Sequence, residues 1–545
     1  MEQLRPPINR GESVTDAERD LAKMADKSFL NLWSYASPYR DKKAGGQTTG
    51  KELCDLLVVC APHIIIFSEK TIGWQANKDS GVAWPRWFKA AVWESVKQIR
   101  GAERWIKEFP DRIFLDRECT TRLPLALPPA DERIIHRVVV AQGVSAAVRA
   151  HFGEGSGSLL IKPAIVGEQH FKTHNYGNDI EPFAIGDVDP NEPFVHVLDE
   201  TALDIVMREL DTISDFTAYL QKKEAFIRSG RLKTAAGEEN LLAYYAVYAN
   251  DKGDHDFIPP SGGAWPEGAT LDIGDTEYAK LVADPQYTAK KRADEQSYVW
   301  DRLIEVFTKP LLDGTSIVPE GFAFDLQKSE LGVRYMALET RFQRRTHAAA
   351  IVGAWERGKK IQKFFRMMLD EGDSTHAETA FFMLTFNYES WMETYGYDDY
   401  RMKRASMAAV YARTILMERL RLKRVVGISM ECPGRGVGGS EEMVFALQKD
   451  WTDEERAENE KERAAYMVMQ PNMKATRFRA QEYPDVEEMR VDMLCGKEFH
   501  FTDSEDALRQ LGIMQRNANA ERPVNRQQRR AAERAARRNR YRDRA

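Results

Sequence analysis

Cysteine is scarce in this 545-residue chain: Cys54, Cys60, Cys119, Cys432 and Cys495, scattered and with no pair at zinc-ligand spacing. That pattern argues against a disulfide framework or a structural zinc site and reads as small buried residues in a reducing compartment. Long hydrophobic runs are missing too. The longest, 56–61 and 64–67, fall far short of the ~20 residues that cross a bilayer. The first twenty residues are polar and acidic, without the apolar stretch of a secretory leader, so the expected location is the cytoplasm with no membrane contact. Nor is there a strong bias of charge. Lys and Arg number 78 against 84 Asp and Glu, a net −6, which excludes a uniformly basic nucleic-acid coat and leaves only local patches for such contacts. No internal repeat is present.

What is there belongs to a folded protein: 43% hydrophobic and 30% charged residues, in a chain too long for one ordinary core. The pattern predicts an α/β multidomain architecture. Thr15 and Glu18 form a capping-box pair ahead of Leu21, Ala25, Phe29 and Leu32 at helical spacing. A loop rich in Gly, Lys and Thr is expected over 41–51. Two β-type runs, LLVVC and HIIIF, then flank a tight connection at Ala61 and Pro62. Residues 85–109 read as a helix ended by Pro110, and 112–116 and 134–141 as strands. These assign a first α/β domain to 1–130. A second, 131–260, carries the strand FVHVLD and one long helix over 202–228. The Gly- and Pro-rich stretch 258–275 is the expected boundary. A mainly α-helical region, 276–515, follows with one late strand at 424–429 and a charged helix capped by Thr452 and Glu455. An Arg-rich tail, 518–545, ends the chain.

Chemistry concentrates in KELCDLLVVCAPHIIIFSEK, residues 51–70. Asp55 opens the first β-run and Lys70 closes the second, so a hairpin brings both to the same end of a sheet. A carboxylate beside an ammonium at strand ends suits metal-assisted phosphodiester cleavage. The carboxylate holds Mg²⁺, the metal lowers the pKa of the attacking water, and the lysine orients it. Here the sequence resembles the PD-(D/E)XK nucleases, the restriction-endonuclease-like superfamily. The resemblance covers about residues 15–120. Asp55 matches the family's Asp and Lys70 its Lys, Glu52 suits the upstream carboxylate, and Lys97 and Gln98 match polar residues on the next helix. It departs at Ser68, where the family carries an acid. Glu69 is acidic but adjacent, on the opposite face of a regular strand. Either a β-bulge turns Glu69 inward, or Glu52 or Glu94 replaces the missing ligand, or the site binds metal poorly.

Other motifs carry bland readings beside sharp ones. Residues 434–440, GRGVGGS, sit where a phosphate-cradling loop would but lack the P-loop lysine, and read as a surface loop. His170 and His174 suggest metal ligation but fall in a Gly- and Asn-rich segment, favouring ordinary polar residues. Arg341, Arg344 and Arg345 share one side of a helix and suit either phosphates or internal ion pairs. The tail sets Arg526, Arg529, Arg530, Arg534, Arg537, Arg538, Arg540, Arg542 and Arg544 against only Glu533 and Asp543, a density that favours phosphate binding.

The resulting expectation is a Mg²⁺- or Mn²⁺-dependent nuclease that cleaves DNA, with RNA second, in the manner of a bacterial or phage-defence effector. Asp55, Glu52 and Glu69 are its expected metal and catalytic carboxylates, with Lys70 and Gln98 completing the set. Lys97, Arg529, Arg530, Arg537 and Arg538 are its nucleic-acid contacts, and a homo-oligomer or regulatory partner uses the remainder. The alternatives are a degenerate nuclease fold serving as a nucleic-acid-binding platform, and an enzyme whose active site lies in the central region.

Overall fold

The computed structural model describes residues 5–44, 47–153, 157–172, 180–316, 324–370, 375–389, 392–394, 396–432, 440–469 and 480–484. The first of its sheets grows from the apolar runs picked out above. Helix α1 (Asp16–Phe29) begins at Thr15, whose hydroxyl accepts the Glu18 amide while Glu18 reaches back to the cap. It buries Leu21, Ala25 and Phe29. Strands β1 (Ser34–Ala36), β2 (Tyr39–Ala44), β3 (Gln47–Glu52), β4 (Leu56–Cys60) and β5 (His63–Thr71) follow. Helix α2 (Ser80–Phe88) passes through a π-helical turn (Lys89–Trp93) into α3 (Glu94–Glu108), then come β6 (Ile113–Phe114) and β7 (Ile134–Gln142). Strand β4 is antiparallel to β5, as the hairpin reading expects, with Leu56 opposite Phe67. Strand β7 runs parallel to β5 because the α2–α3 crossover separates them. All five residues of β4 are buried, which explains a run of apolar residues without alternation.

Two expectations fail in this part. Residues 41–51 are not a loop: β2 and β3 pair from Tyr39–Glu52 to Ala44–Gln47, and β6 adds a third strand. Charged and Thr residues obscured strands whose stability comes from pairing rather than burial. Strand β7, placed in the second unit by the reading, joins the first sheet beside β5, and β10 (His196–Leu198) extends it to the order β1-β4-β5-β7-β10.

Between β7 and β10 lie α4 (Ser145–Phe152), β8 (Leu160–Val166) and β9 (Ala184–Asp187). The single helix expected over 202–228 is two, α5 (Glu200–Glu209) and α6 (Ile213–Arg228). Thr212 breaks it, because its hydroxyl caps the Asp215 amide and its own backbone is extended. Strand β11 (Leu232–Ala235), helix α7 (Glu238–Val247) and strand β12 (Leu271–Ile273) complete a second sheet, β12-β11-β8-β9. The Gly- and Pro-rich stretch holds the edge strand of that sheet, and the helices begin just after it at Glu277.

Helices α8 (Glu277–Ala283), α9 (Pro285–Asp294), α10 (Tyr298–Leu312), α11 (Leu326–Ala337) and α12 (Arg341–Gly358) lead to a third sheet. Its strands are β13 (Lys363–Leu369), β14 (Thr379–Phe386), β15 (Arg424–Met430) and β16 (Glu441–Leu447). Helix α13 (Tyr397–Glu418) crosses between the parallel β14 and β15, and α14 (Asp453–Tyr466) follows β16. The described residues of this region hold four strands where the reading expected one. KFFRMML and TAFFMLTF are rich in Phe and Met and show no period of two, since β14 is buried on both faces. The protein is thus mixed α/β with several sheets. No helix among the described residues is long and apolar enough to cross a membrane.

The arginines of α12 bind the helical layer together. Arg341 reaches Asp211 at 2.8 Å and Asp301 at 2.7 Å, and Arg344 reaches Asp301 at 2.7 Å, with Arg344 only 1% exposed. Arg345 pairs with Asp294 at 2.9 Å. Of the two readings of this trio, the structure has the internal ion pairs. Removing one partner strands a buried charge, so Arg344→Ala is expected to cost about 3–5 kcal/mol. Lys309→Ala, which breaks the exposed Lys309–Asp313 pair, is expected to cost under ~1 kcal/mol. Urea denaturation of both variants checks the contrast, and equal small losses would refute it.

Candidate active site

Strand pairing sets the geometry around Asp55. The ladder places Leu56 opposite Phe67, and the Asp55 amide donates to the Phe67 carbonyl at 3.2 Å, so Asp55 stands across from Ser68. Lys70 lies two residues further along β5, on the face of Ser68 by alternation. Helix α3 covers that face. The Ser68 hydroxyl donates to Gln98 Oε1 at 3.2 Å, and Gln98 Nε2 donates to Asp55 Oδ1 at 3.3 Å. The other Asp55 oxygen accepts the Glu69 amide. Gln98, chosen from sequence as a steadying residue, thus bridges the two strands.

Glu69 enters through its backbone, not its carboxylate. The β5–β7 register is unbroken from His63 to Thr71, so no bulge turns the side chain toward Asp55. Its carboxylate accepts the Thr71 hydroxyl at 2.7 Å on its own strand face. Glu94 is not a replacement ligand either: it pairs with Lys97 at 2.6 Å on the surface, half exposed. The same pair occupies Lys97, expected to contact nucleic acid. Glu52 ends β3 opposite Tyr39. Its Oε1 is buried, and the Ser37 hydroxyl lies beside the carboxylate and helps to hold its charge.

Asp55 is 7% exposed and Glu69 8%. Burial pushes the Asp55 carboxyl up to about 6, held down somewhat by the Glu69 amide and Gln98 and raised further by Glu18. Burial, then the Asp55 charge and Glu18, push Glu52 up to about 7 against a hydrogen bond with Ser37. Glu69 is also raised, by burial first. Among the described residues no Lys or Arg pairs with Asp55, Glu52 or Glu69, and Lys70 itself makes no ion pair. Asp55 and Glu52, taken out of water without a counter-charge among the described residues, fit a divalent cation. Glu18 on α1 and Tyr39 on β2 also face this cluster. Sequence reading missed both. Glu18 was absorbed by its capping role, and Tyr39 becomes a neighbour only through the β2–β3 ladder.

The remaining candidates separate cleanly. His170 uses both ring nitrogens on backbone groups, Gly167 O at 2.7 Å and Gly186 N at 2.9 Å, which supports its bland reading. His174, the bulk of the glycine-rich 434–440 segment and the tail arginines Arg529, Arg530, Arg537 and Arg538 lie outside the described residues. One cluster has no sequence signature. Glu339, His347 and Asp370 offer ligand atoms within 4.8 Å of one another, with His347 and Glu339 already paired at 3.2 Å.

The chain matches no protein-family model, no curated protein and no solved structure. Function has to be argued from the site.

The raised carboxyls give a pH dependence with a definite sign. Free carboxyls titrate near 4, whereas Asp55 and Glu52 titrate near 6 and 7 in the folded chain. The native state therefore binds more protons across that window. Their contribution to stability is full below about pH 4 and is lost as pH rises toward 7. In EDTA, Asp55→Asn is expected to melt above the parent at pH 8 and level with it at pH 5. Mg²⁺ or Mn²⁺ is expected to raise the parent's Tm more at pH 8 than at pH 5.5, and less in the Asp55→Asn, Glu52→Gln double variant. A parent Tm indifferent to both ions at both pH values would count against a cation site.

Proposed function

We propose that the N-terminal region is a restriction-endonuclease-like domain and that the protein is a metal-dependent nuclease, acting on DNA ahead of RNA. The observation that carries this reading is the Asp55–Gln98–Ser68 bridge beside a Lys70 unpaired among the described residues, with the Asp55 and Glu52 carboxyls both raised by burial. The helix, Asp strand, Lys strand and Gln helix that the resemblance calls for occur in that order, as α1, β4, β5 and α3. Asp55 and Glu52 would hold Mg²⁺ or Mn²⁺. Such an ion, when bound, lowers the pKa of an attacking water and screens the phosphate charge. The chain's own groups do the rest. Gln98 fixes the Asp55 carboxylate. Lys70, unpaired among the described residues, is available to orient the nucleophilic water or a phosphate oxygen. Burial keeps bulk water from screening these charges.

A second reading is favoured by one observation. The Ser68 hydroxyl occupies the usual acidic position and is already bonded to Gln98, as in a site that has lost a ligand. On that reading the domain is a nucleic-acid-binding or regulatory platform.

Purified protein incubated with duplex DNA, single-stranded DNA and RNA in Mg²⁺, Mn²⁺ or EDTA separates the two. Metal-dependent cleavage is expected in the parent. Lys70→Met is expected to lower it by about 10²–10³-fold and Asp55→Asn by at least as much, with both variants still folded. Cleavage unchanged in both would move the chemistry elsewhere in the chain. Nucleic-acid binding without cleavage in any metal would favour the platform.

A further inference from the structure

The β2–β3 hairpin, read from sequence as a loop, presents two cations without an anion among the described residues. Arg40 on β2 and Lys51 on β3 are directly opposite in the antiparallel ladder. Opposed residues project from the same face with Cβ atoms only ~5 Å apart, and like charges there destabilise the pair. Neither side chain makes a hydrogen bond or ion pair with the described residues. The nearest acid on the same strand is committed elsewhere: Asp41 is held by Arg112, Nε at 2.9 Å and Nη2 at 2.9 Å. Glu52 follows Lys51 and so projects from the opposite face.

Arg40 is nonetheless held in place. Its guanidinium lies 5.2 Å from the ring centre of Trp105 on α3, and Arg112 lies 5.1 Å from the same ring. Of these two guanidiniums, Arg112 has its anion and Arg40 has none. A half-buried guanidinium positioned against an aromatic ring with its N–H groups uncommitted, beside an exposed ammonium, suits a bridging phosphate oxygen pair. A third cation, Arg117, is anchored through its backbone, but its charge acts on Tyr39, which projects from the hairpin's other face. Arg117, exposed and also without a partner among the described residues, accepts the Gly50 amide through its backbone carbonyl at 2.8 Å, on the outer edge of β3. Gly50 permits that approach, since a Cβ there would sit 2.3 Å from the same carbonyl oxygen.

We propose that Arg40 and Lys51 form a clamp for the phosphodiester backbone of a nucleic-acid strand. The strand lies over the face of the β2–β3 hairpin opposite Glu52, at the end of the hairpin that leads on to Asp55. The clamp accounts for an arrangement that repulsion otherwise makes unfavourable. It rests on the nuclease reading only for the strand's destination. Binding itself requires neither metal nor cleavage.

The test uses the full chain carrying Asp55→Asn, in EDTA, with fluorescently labelled duplex DNA, single-stranded DNA and RNA followed by anisotropy across a salt series. Arg40→Gln with Lys51→Gln is expected to weaken binding of at least one of these about tenfold or more near 0.1 M salt. The slope of log Kd against log salt should fall by about one to two, as for the loss of one or two phosphate contacts. The charge-keeping pair Arg40→Lys with Lys51→Arg should retain most of the affinity. The neutral pair, free of nucleic acid, should melt no lower than its parent. Unchanged affinity and slope in the neutral pair would overturn the clamp, as would equal loss in the charge-keeping pair. Equal weakening toward poly-glutamate would also overturn it, by marking a surface for any polyanion. A failed nuclease reading looks different: clamp-dependent binding persists, and protein with Asp55 intact cuts nothing in Mg²⁺ or Mn²⁺.

Discussion

A carboxylate taken out of water with only neutral donors to hold it is the constraint around which the N-terminal region is arranged. Asp55 has the Glu69 amide and the Gln98 amide as its hydrogen-bond donors. Neither neutralises it. Backbone pairing fixes the first donor, and the second depends on α3 lying across β5 and β7 at the correct height. Everything that sets that height therefore bears on Asp55: the parallel pairing of β5 with β7, the crossover that this pairing requires, and the apolar packing of Val96 and Ile99 beneath α3. An exposed aspartate would need none of this.

The helical layer solves the opposite problem. Its buried charges are matched: Arg341 and Arg344 share Asp301, and Arg341 also holds Asp211 at the α5–α6 junction. Buried pairs of this kind add little net stability but penalise any arrangement that separates them. The contrast supports reading the two regions differently. Compensated burial fixes a fold, whereas uncompensated burial beside an unpaired lysine leaves electrostatic work undone.

Much of the first sheet was legible because its signals are local. Thr15 and Glu18 announce a helix, LLVVC and HIIIF announce strands, and the position of Gln98 on the next helix follows from counting. Three failures share one cause. KFFRMML became a strand through β14 and TAFFMLTF through partners on both sides, and residues 41–51 became a hairpin that β6 extends at Tyr39 and Arg40, none of which is visible locally. The helix over 202–228 broke at Thr212 because cap chemistry outweighed an otherwise continuous apolar pattern. At the site, alternation along β5 correctly warned that Glu69 faces away. Glu18 and Tyr39 escaped notice because they arrive from other elements, as does the buried bond from Trp33 Nε1 to Glu330 at 2.7 Å, which spans 297 residues.

The π-helical turn between α2 and α3 has a consequence for how this site could be lost. Each α-helical residue advances the helix by about 100°, so inserting or deleting one residue within Lys89–Trp93 would swing Gln98 by roughly that angle. Ser68 and Asp55 would then face a different side chain. The bridge is thus encoded by a residue count as much as by residue identity. A homologue one residue shorter in this turn would keep Asp55, Lys70 and Gln98 in its sequence and still lack the contact between them.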